Sequence, residues 1–179
     1  MPRLREDQQA NGCRPGVAGL LAGLLFSPGL LAVALYRASA ALYPRGPLGR
    51  LAAKLLWRWN VSANGCYLSP KARIGAGLHL PHPVAVVVGD GVVLGDRVTL
   101  YQGVTVGARG PGDKVYPAIG DGAVLYAGAV VAGGVRVGAH AVVGAQSLVI
   151  ADVPAHATAV GSPARILGTG GVREARGGA

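Results

Sequence analysis

From Ile74 onward the chain keeps a period of six. An aliphatic residue opens each repeat at Val88, Leu94, Leu100 and Val106, and after one gap at Ile119, Leu125, Val131, Val137, Val143 and Val149. Ten such repeats match no multiple of the 3.6-residue helical turn; they are the pattern of a short strand plus a turn, wound into a solenoid. Three strands complete one triangular coil, so each inward aliphatic stacks on the one 18 residues later: Val88 on Val106, Ile119 on Val137, Leu125 on Val143. Gly91, Gly103, Gly122, Gly128 and Gly134 hold the fourth position, where a corner calls for positive φ. This use accounts for 30 glycines in 179 residues. The fold class is mainly β, a parallel β-helix over residues 61–168. A short α-helical cap with a flexible start precedes it over 1–60, and a flexible tail follows over 169–179.

The cap is read from its breaks. Ser27-Pro28 is an N-cap followed by the residue best tolerated at a first helical position, which predicts a helix over Pro28–Leu42. A second helix is expected after "PRGP" at 44–47, covering "LGRLAAKLLWRW". Residues 15–36 carry no charge and are long enough to cross a bilayer as one helix, but the break at Pro28 divides them. Two readings stand for residues 17–36: part of a soluble cap, or a membrane-associated segment.

Charge and cysteines narrow the partners. The formal charge of +9 favours anionic ligands. Arginines occur singly, without the aromatic interleaving of a nucleic-acid groove, so no nucleic-acid partner is expected. Cys13 and Cys66 fit neither a metal-ligand spacing nor a disulfide framework and read as free thiols in a reducing, cytoplasmic compartment.

Two segments depart from the period. Ile74 to Val88 spans 14 residues instead of 12, which places a two-residue bulge near His82; Val106 to Ile119 spans 13, through "GARGPGDKVYPA". Irregular loops on a rigid scaffold are where binding and chemistry are expected. The segment "LHLPHP" therefore presents a histidine, His82, with His79 three residues before it.

Four stretches carry a family resemblance: "PGLLAVALYRASAALYPRG", "SPKARIGAGLHLPHPVAVVVGDGVVLGDRVTLYQGVTVGA", "GDKVYPAIGDGAVLYAGAVVAGG" and "VPAHATAVGSPARIL". Over residues 26–168 the chain resembles the serine acetyltransferases, left-handed parallel β-helix acyltransferases. The resemblance implies acetyl-CoA as acyl donor, a homotrimer with sites between neighbouring β-helices, and a general-base role for His82. A neutral imidazole in reach of a hydroxyl can take its proton as the oxygen attacks a thioester. Ala127 and Ala145, 18 residues apart, form a strip of small side chains for a pantetheine arm, and both match CoA-contacting positions of the family. By the same resemblance Gly107 is a cofactor contact, and Arg165 in "GSPAR" meets a CoA phosphate. The His79 position is an ordinary one in the family, and no metal is expected. His140 and His156 read as solvated surface.

Where the resemblance implies acids and a second histidine, this chain has Pro81, Tyr67 and Tyr116, and neither Lys114 nor Val115 matches the family's arginine unambiguously. The ending "EARGGA" lacks the isoleucine tip that docks onto cysteine synthase, so no such docking is expected. The expected activity is O-acetylation of a small-molecule hydroxyl, serine or a serine-like compound. A sugar or exopolysaccharide hydroxyl is the alternative acceptor, and a non-catalytic trimeric scaffold is the alternative of another class.

Overall fold

The computed structural model describes residues 2–168. Fourteen short strands follow four helices, α1 (Pro2–Ala10), α2 (Val17–Phe26), α3 (Pro28–Leu42) and α4 (Gly46–Asn64). Successive strands visit three sheets in rotation. The first sheet holds β1 (Tyr67–Leu68), β3 (Val87–Val88), β6 (Thr105–Gly107), β9 (Val130–Ala132) and β12 (Leu148–Val149). The second holds β2 (Arg73–Ile74), β4 (Val93–Leu94), β7 (Ala118–Ile119) and β10 (Arg136–Val137). The third holds β5 (Thr99–Leu100), β8 (Val124–Leu125), β11 (Val142–Val143) and β13 (Thr158–Val160), with β14 (Arg165–Gly168) antiparallel at its end.

All pairings before β14 are parallel, and their registers are those the period of six requires: Val88 on Val106, Ile119 on Val137, Leu125 on Val143. The inward residues Leu68, Val88, Leu100, Val106, Leu125, Val131 and Val143 are at most 1% exposed and form one continuous core. Each buried aliphatic side chain contributes about 1.5–3 kcal/mol.

The corners correct part of the glycine reading. Gly103, Gly122 and Gly128 do take positive φ (71°, 64° and 69°), and so do Arg97, His140 and Gln146 at the equivalent position. Gly91 and Gly134 do not. Their lack of a side chain makes room instead for the long loop between β6 and β7, which folds back on this edge. A Cβ on Gly91 would stand 2.2 Å from the Tyr116 ring, and one on Gly134 would stand 2.3 Å from Val115 Cγ1.

The helical part is larger than expected. α3 has the expected bounds, but α4 runs on to Asn64, where Gly65 ends it with φ 59°, so strand begins at Tyr67 rather than after residue 60. The start is helical rather than flexible. Asp7 on α1 is fully buried, pairs with Arg37 of α3 at 2.9 Å, and accepts the Leu78 N–H at 3.0 Å. Arg37 in turn donates to the carbonyls of Ile74, at 2.7 Å, and Gly75. Both cysteines are free, and burial pushes the Cys66 thiol up to about 12. Among the described residues no single helix is long and apolar enough to cross a membrane; α2 and α3 together have the length but meet at 105°. The tail expected to be flexible lies outside the described residues.

The Asp7–Arg37 pair closes a network, so removing one partner strands the other. Asp7→Ala will destabilise the protein by roughly 3–5 kcal/mol, because a largely buried guanidinium and a buried amide lose their acceptor. Lys71→Ala removes the exposed Lys71–Asp90 pair and will change stability by less than about 1 kcal/mol. Denaturant midpoints of the two variants check the difference.

Candidate active site

The interruption at His82 is localised by register. An isolated bridge pairs His79 with Thr99, which sets Leu80 level with Leu100. From Leu100 to Val106 the chain uses six residues, and from Leu80 to Val88 it uses eight. Ala85 takes the corner conformation (φ 58°) that Gly103 takes one coil on, and the Gly103 N–H donates to Val84 O at 3.0 Å. The two surplus residues therefore lie between Pro81 and Val84, at His82 itself. Proline on either side of the histidine suits a bulge, since it sets φ and removes two N–H groups that would find no ladder partner. Pro83 is buried and His82 is exposed.

The strand leading into the bulge is held from three directions. Asp7 accepts from Leu78 N, Asn11 Nδ2 donates to Leu78 O at 2.9 Å, and Asn11 Oδ1 accepts from Leu80 N at 3.2 Å. On α3, Gly29 comes so close that a Cβ there would lie 2.3 Å from Leu80 O. Neither Asp7 nor Asn11 was picked out as functional by sequence. Both lie in the segment read as flexible, and their partners are 67 to 71 residues away.

From the bulge one edge runs along the coils between the third and first sheets, its middle coils carrying two alanines. Gly128 N donates to Gln102 O, and Gln146 N donates to Ala127 O, each at 2.9 Å. With the Gly103–Val84 bond, these bonds align Val84, Gln102, Ala127 and Ala145 on successive coils. Ala127 is half-buried and Ala145 exposed. At the far end Leu148 N bonds Gly161 O at 2.9 Å, Ala164 N bonds Leu148 O at 2.7 Å, and exposed Arg165 follows at the start of β14. Four coil steps of about 4.8 Å separate the two ends, roughly 19 Å. His82, Ala127, Ala145 and Arg165 thus share one edge.

Gly107 does not join them. It ends β6 on the opposite side of the first sheet, in register with Ala132, with nothing within 4 Å of an added Cβ. Gln102 is the residue on the shared edge that sequence reasoning passed over. It stands 25 residues before Ala127 because the long loop intervenes, so counting back by 18 misses it. Beside the edge, Tyr101 and Tyr126 stack with ring centroids 5.0 Å apart.

The positions where the resemblance implies acids and a histidine are occupied by apolar or aromatic contacts. Tyr67 packs edge-on against Trp57, with centroids 5.1 Å apart, and Tyr116 lies on Gly91. No described carboxylate bonds to the His82 ring. Burial holds the half-buried His79 imidazole below its usual pKa. Among the described residues no three His, Cys, Asp or Glu side chains gather to hold a metal ion. His140 and His156 are exposed and stack on each other, 5.1 Å apart, along another edge.

Comparison with known proteins bears on the fold and the family. The family model described as bacterial transferase hexapeptide (six repeats) matches residues 116–151. Serine acetyltransferase 4 of Arabidopsis thaliana is 39% identical over 168 residues, 92% of this chain but 46% of the plant protein. The serine acetyltransferase of Helicobacter pylori is 38% identical over 145 residues, 80% of this chain and 84% of its own length. The structure of serine acetyltransferase from Brucella abortus strain S19 in complex with coenzyme A superposes with TM-score 0.85 at 33% identity, covering 95% of this chain and 68% of that one. This chain spans about half the length of the Arabidopsis relatives. With a matching fold and a matched relative covered over most of its length, the chain belongs to the serine acetyltransferase family.

Proposed function

We propose that the protein transfers an acetyl group from acetyl-CoA to the hydroxyl of serine or a serine-like small molecule. The observation that carries this reading is the shared edge. His82 lies at one end, Arg165 at the other, and only Val84, Gln102 and two alanines define the coils between. The donor supplies a thioester carbonyl. Ala127 and Ala145 leave a smooth path for its pantetheine arm, and the forked Arg165 guanidinium suits a phosphate. His82 accepts the hydroxyl proton as the acceptor oxygen attacks the carbonyl, and returns that proton to the departing sulfur. The Gln102 amide, one coil from the bulge, supplies a donor for the carbonyl oxygen as charge builds on it.

The active unit is a trimer of left-handed β-helices. Family membership supports that winding, and the outward residues of the first sheet, apolar Val87, Val130 and Leu148 with Thr105 among them, offer a largely apolar face that a closed threefold association covers. A second acceptor class has its own support. With Pro81, Tyr67 and Tyr116 at the positions noted above, no carboxylate there receives an ammonium group, and an ammonium needs such an acceptor to replace its hydration. A neutral sugar hydroxyl does not.

His82→Ala will lower kcat by about a hundredfold to ten-thousandfold while CoA affinity stays within about twofold; full activity in this variant makes His82 structural and the mechanism wrong. Ala145→Trp will do the reverse, raising the CoA Kd by about tenfold or more, a loss of about 1.4 kcal/mol, as calorimetry will show. Pro81→Asp will raise kcat/KM for serine relative to a polyol. An equal fall on both acceptors means instead that the proline sets the bulge.

A further inference from the structure

Helix α4 bears an exposed apolar stripe in addition to the face it packs against the rest of the protein. Its buried residues are Gly49, Ala53 and Asn60, and Asn60 Nδ2 donates to Ala32 O of α3 at 3.0 Å. Leu56, Trp57 and Val61 are partly buried, but four large apolar residues face outward: Leu48, Leu51, Leu55 and Trp59 are 82, 56, 63 and 55% exposed. At 100° per residue these four fall on one narrow stripe. Exposed Arg50, Lys54 and Arg58, four residues apart, form a basic row beside it. Among the described residues no carboxylate pairs with this row. Residues 8–89 contain eight Arg or Lys and no Asp or Glu. Helix α2 adds further exposed apolar side chains, Val17, Leu21, Leu25 and Phe26.

We propose that α4 lies in the headgroup plane of an anionic lipid bilayer. Its leucine and tryptophan stripe enters the acyl boundary, and Arg50, Lys54 and Arg58 reach the phosphates. A stripe of this kind flanked by basic residues is what an interfacial helix requires, and tryptophan favours the boundary depth. The basic stems cover apolar surface while their charged ends stay in the polar layer. Charge decides against a second copy of the chain as occupant. Two such helices packed stripe to stripe place two basic rows along one seam with no carboxylate, whereas a bilayer bearing anionic headgroups supplies the opposite sign. The element is α4, not the 17–36 segment alone, whose α3 part is largely buried beneath its neighbours. Gly65, which ends α4, accepts the Ala85 N–H at 2.9 Å, so the docked helix is one hydrogen bond from the His82 bulge.

Flotation of the full-length protein with vesicles tests this, using phosphatidylcholine alone or with about one-third phosphatidylglycerol. Binding is expected to the anionic vesicles, with a blue shift of tryptophan emission that Trp59→Phe removes, and with release at high salt. The variant Arg50→Gln/Lys54→Gln/Arg58→Gln changes only exposed residues. It should keep the parent circular dichroism and bind on the order of a hundredfold more weakly, about fivefold per charge. Leu51→Gln/Leu55→Gln should lose binding at any lipid charge. The proposal is overturned if both vesicle types behave alike, or if the charge variant binds as the parent does. It also fails if Leu51→Gln/Leu55→Gln disperses an oligomer whose Trp59 is already shielded without lipid, which would make the occupant a second copy.

Discussion

Register between stacked coils is the constraint on which everything else depends. Each inward aliphatic residue is fixed twice, by its place in the six-residue period and by the residue beneath it in a parallel ladder. A slip of one residue would turn the whole inward set to solvent and bring the outward set into a core with no space for it. With Leu100, Val106, Leu125 and Val143 at 0% exposure, each slipped position forfeits about 1.5–3 kcal/mol. An insertion therefore has to leave the prism at an edge. The chain makes two, at His82 and between Gly107 and Pro117, and both leave the coils above and below in register.

The core alone does not aim His82. The bulge gets its geometry from the segment before it, Leu78–Leu80, which makes three bonds to Asp7 of α1 and to Asn11 just after that helix. Asp7 is held by Arg37, which itself binds carbonyls of the coil. The first helix, α3 and the first coil thus form one polar network, in which the buried carboxylate has the guanidinium and a backbone amide as donors. Such a network is stable only when complete. The histidine stands on an edge whose position is set by groups about 70 residues away in sequence.

The features legible in the sequence were those with local arithmetic. Period six gave the stacking partners, the Ser27-Pro28 signal placed α3 to the residue, and the count from Ile74 to Val88 placed the bulge. What failed was non-local. The first helix has no apolar face to betray it, since its buried members are Asp7 and Gln8, and its role is visible only against Leu78. Gly91 and Gly134 fit a corner by position, but their small size is explained by Tyr116 and Val115 of a loop no period describes. Gln102 was hidden by that same loop, which stretches an 18-residue step to 25. Gly107 lies across the first sheet from the other candidates in one chain, a separation that a site formed between neighbouring β-helices, as the resemblance implies, would span.

The distribution of acids ties the acceptor question to the surface of α4. Six acidic residues lie at or beyond Asp90, two lie in α1, and none lies between, although that interval holds α2 to α4 and His82. Of the two in α1, Asp7 is already matched by Arg37. Asp90 pairs with Lys71, so the end of the molecule that bears His82 keeps a net positive charge carried by Arg14, Arg45, Arg50, Lys54, Arg58 and Arg73, and a surface of one sign concentrates ligands of the other. A free amino acid is a zwitterion, so that field draws its carboxylate while its ammonium needs a local acceptor. A neutral hydroxyl compound needs no such group. The same stretch without carboxylates holds Arg50, Lys54 and Arg58, which have no ion-pair partner among the described residues, and it leaves the ammonium of a serine acceptor dependent on a group placed close to His82. Restoring one acid at Pro81 changes the local partner without altering the wider field, so its effect on serine reports how much of the selectivity is short-range.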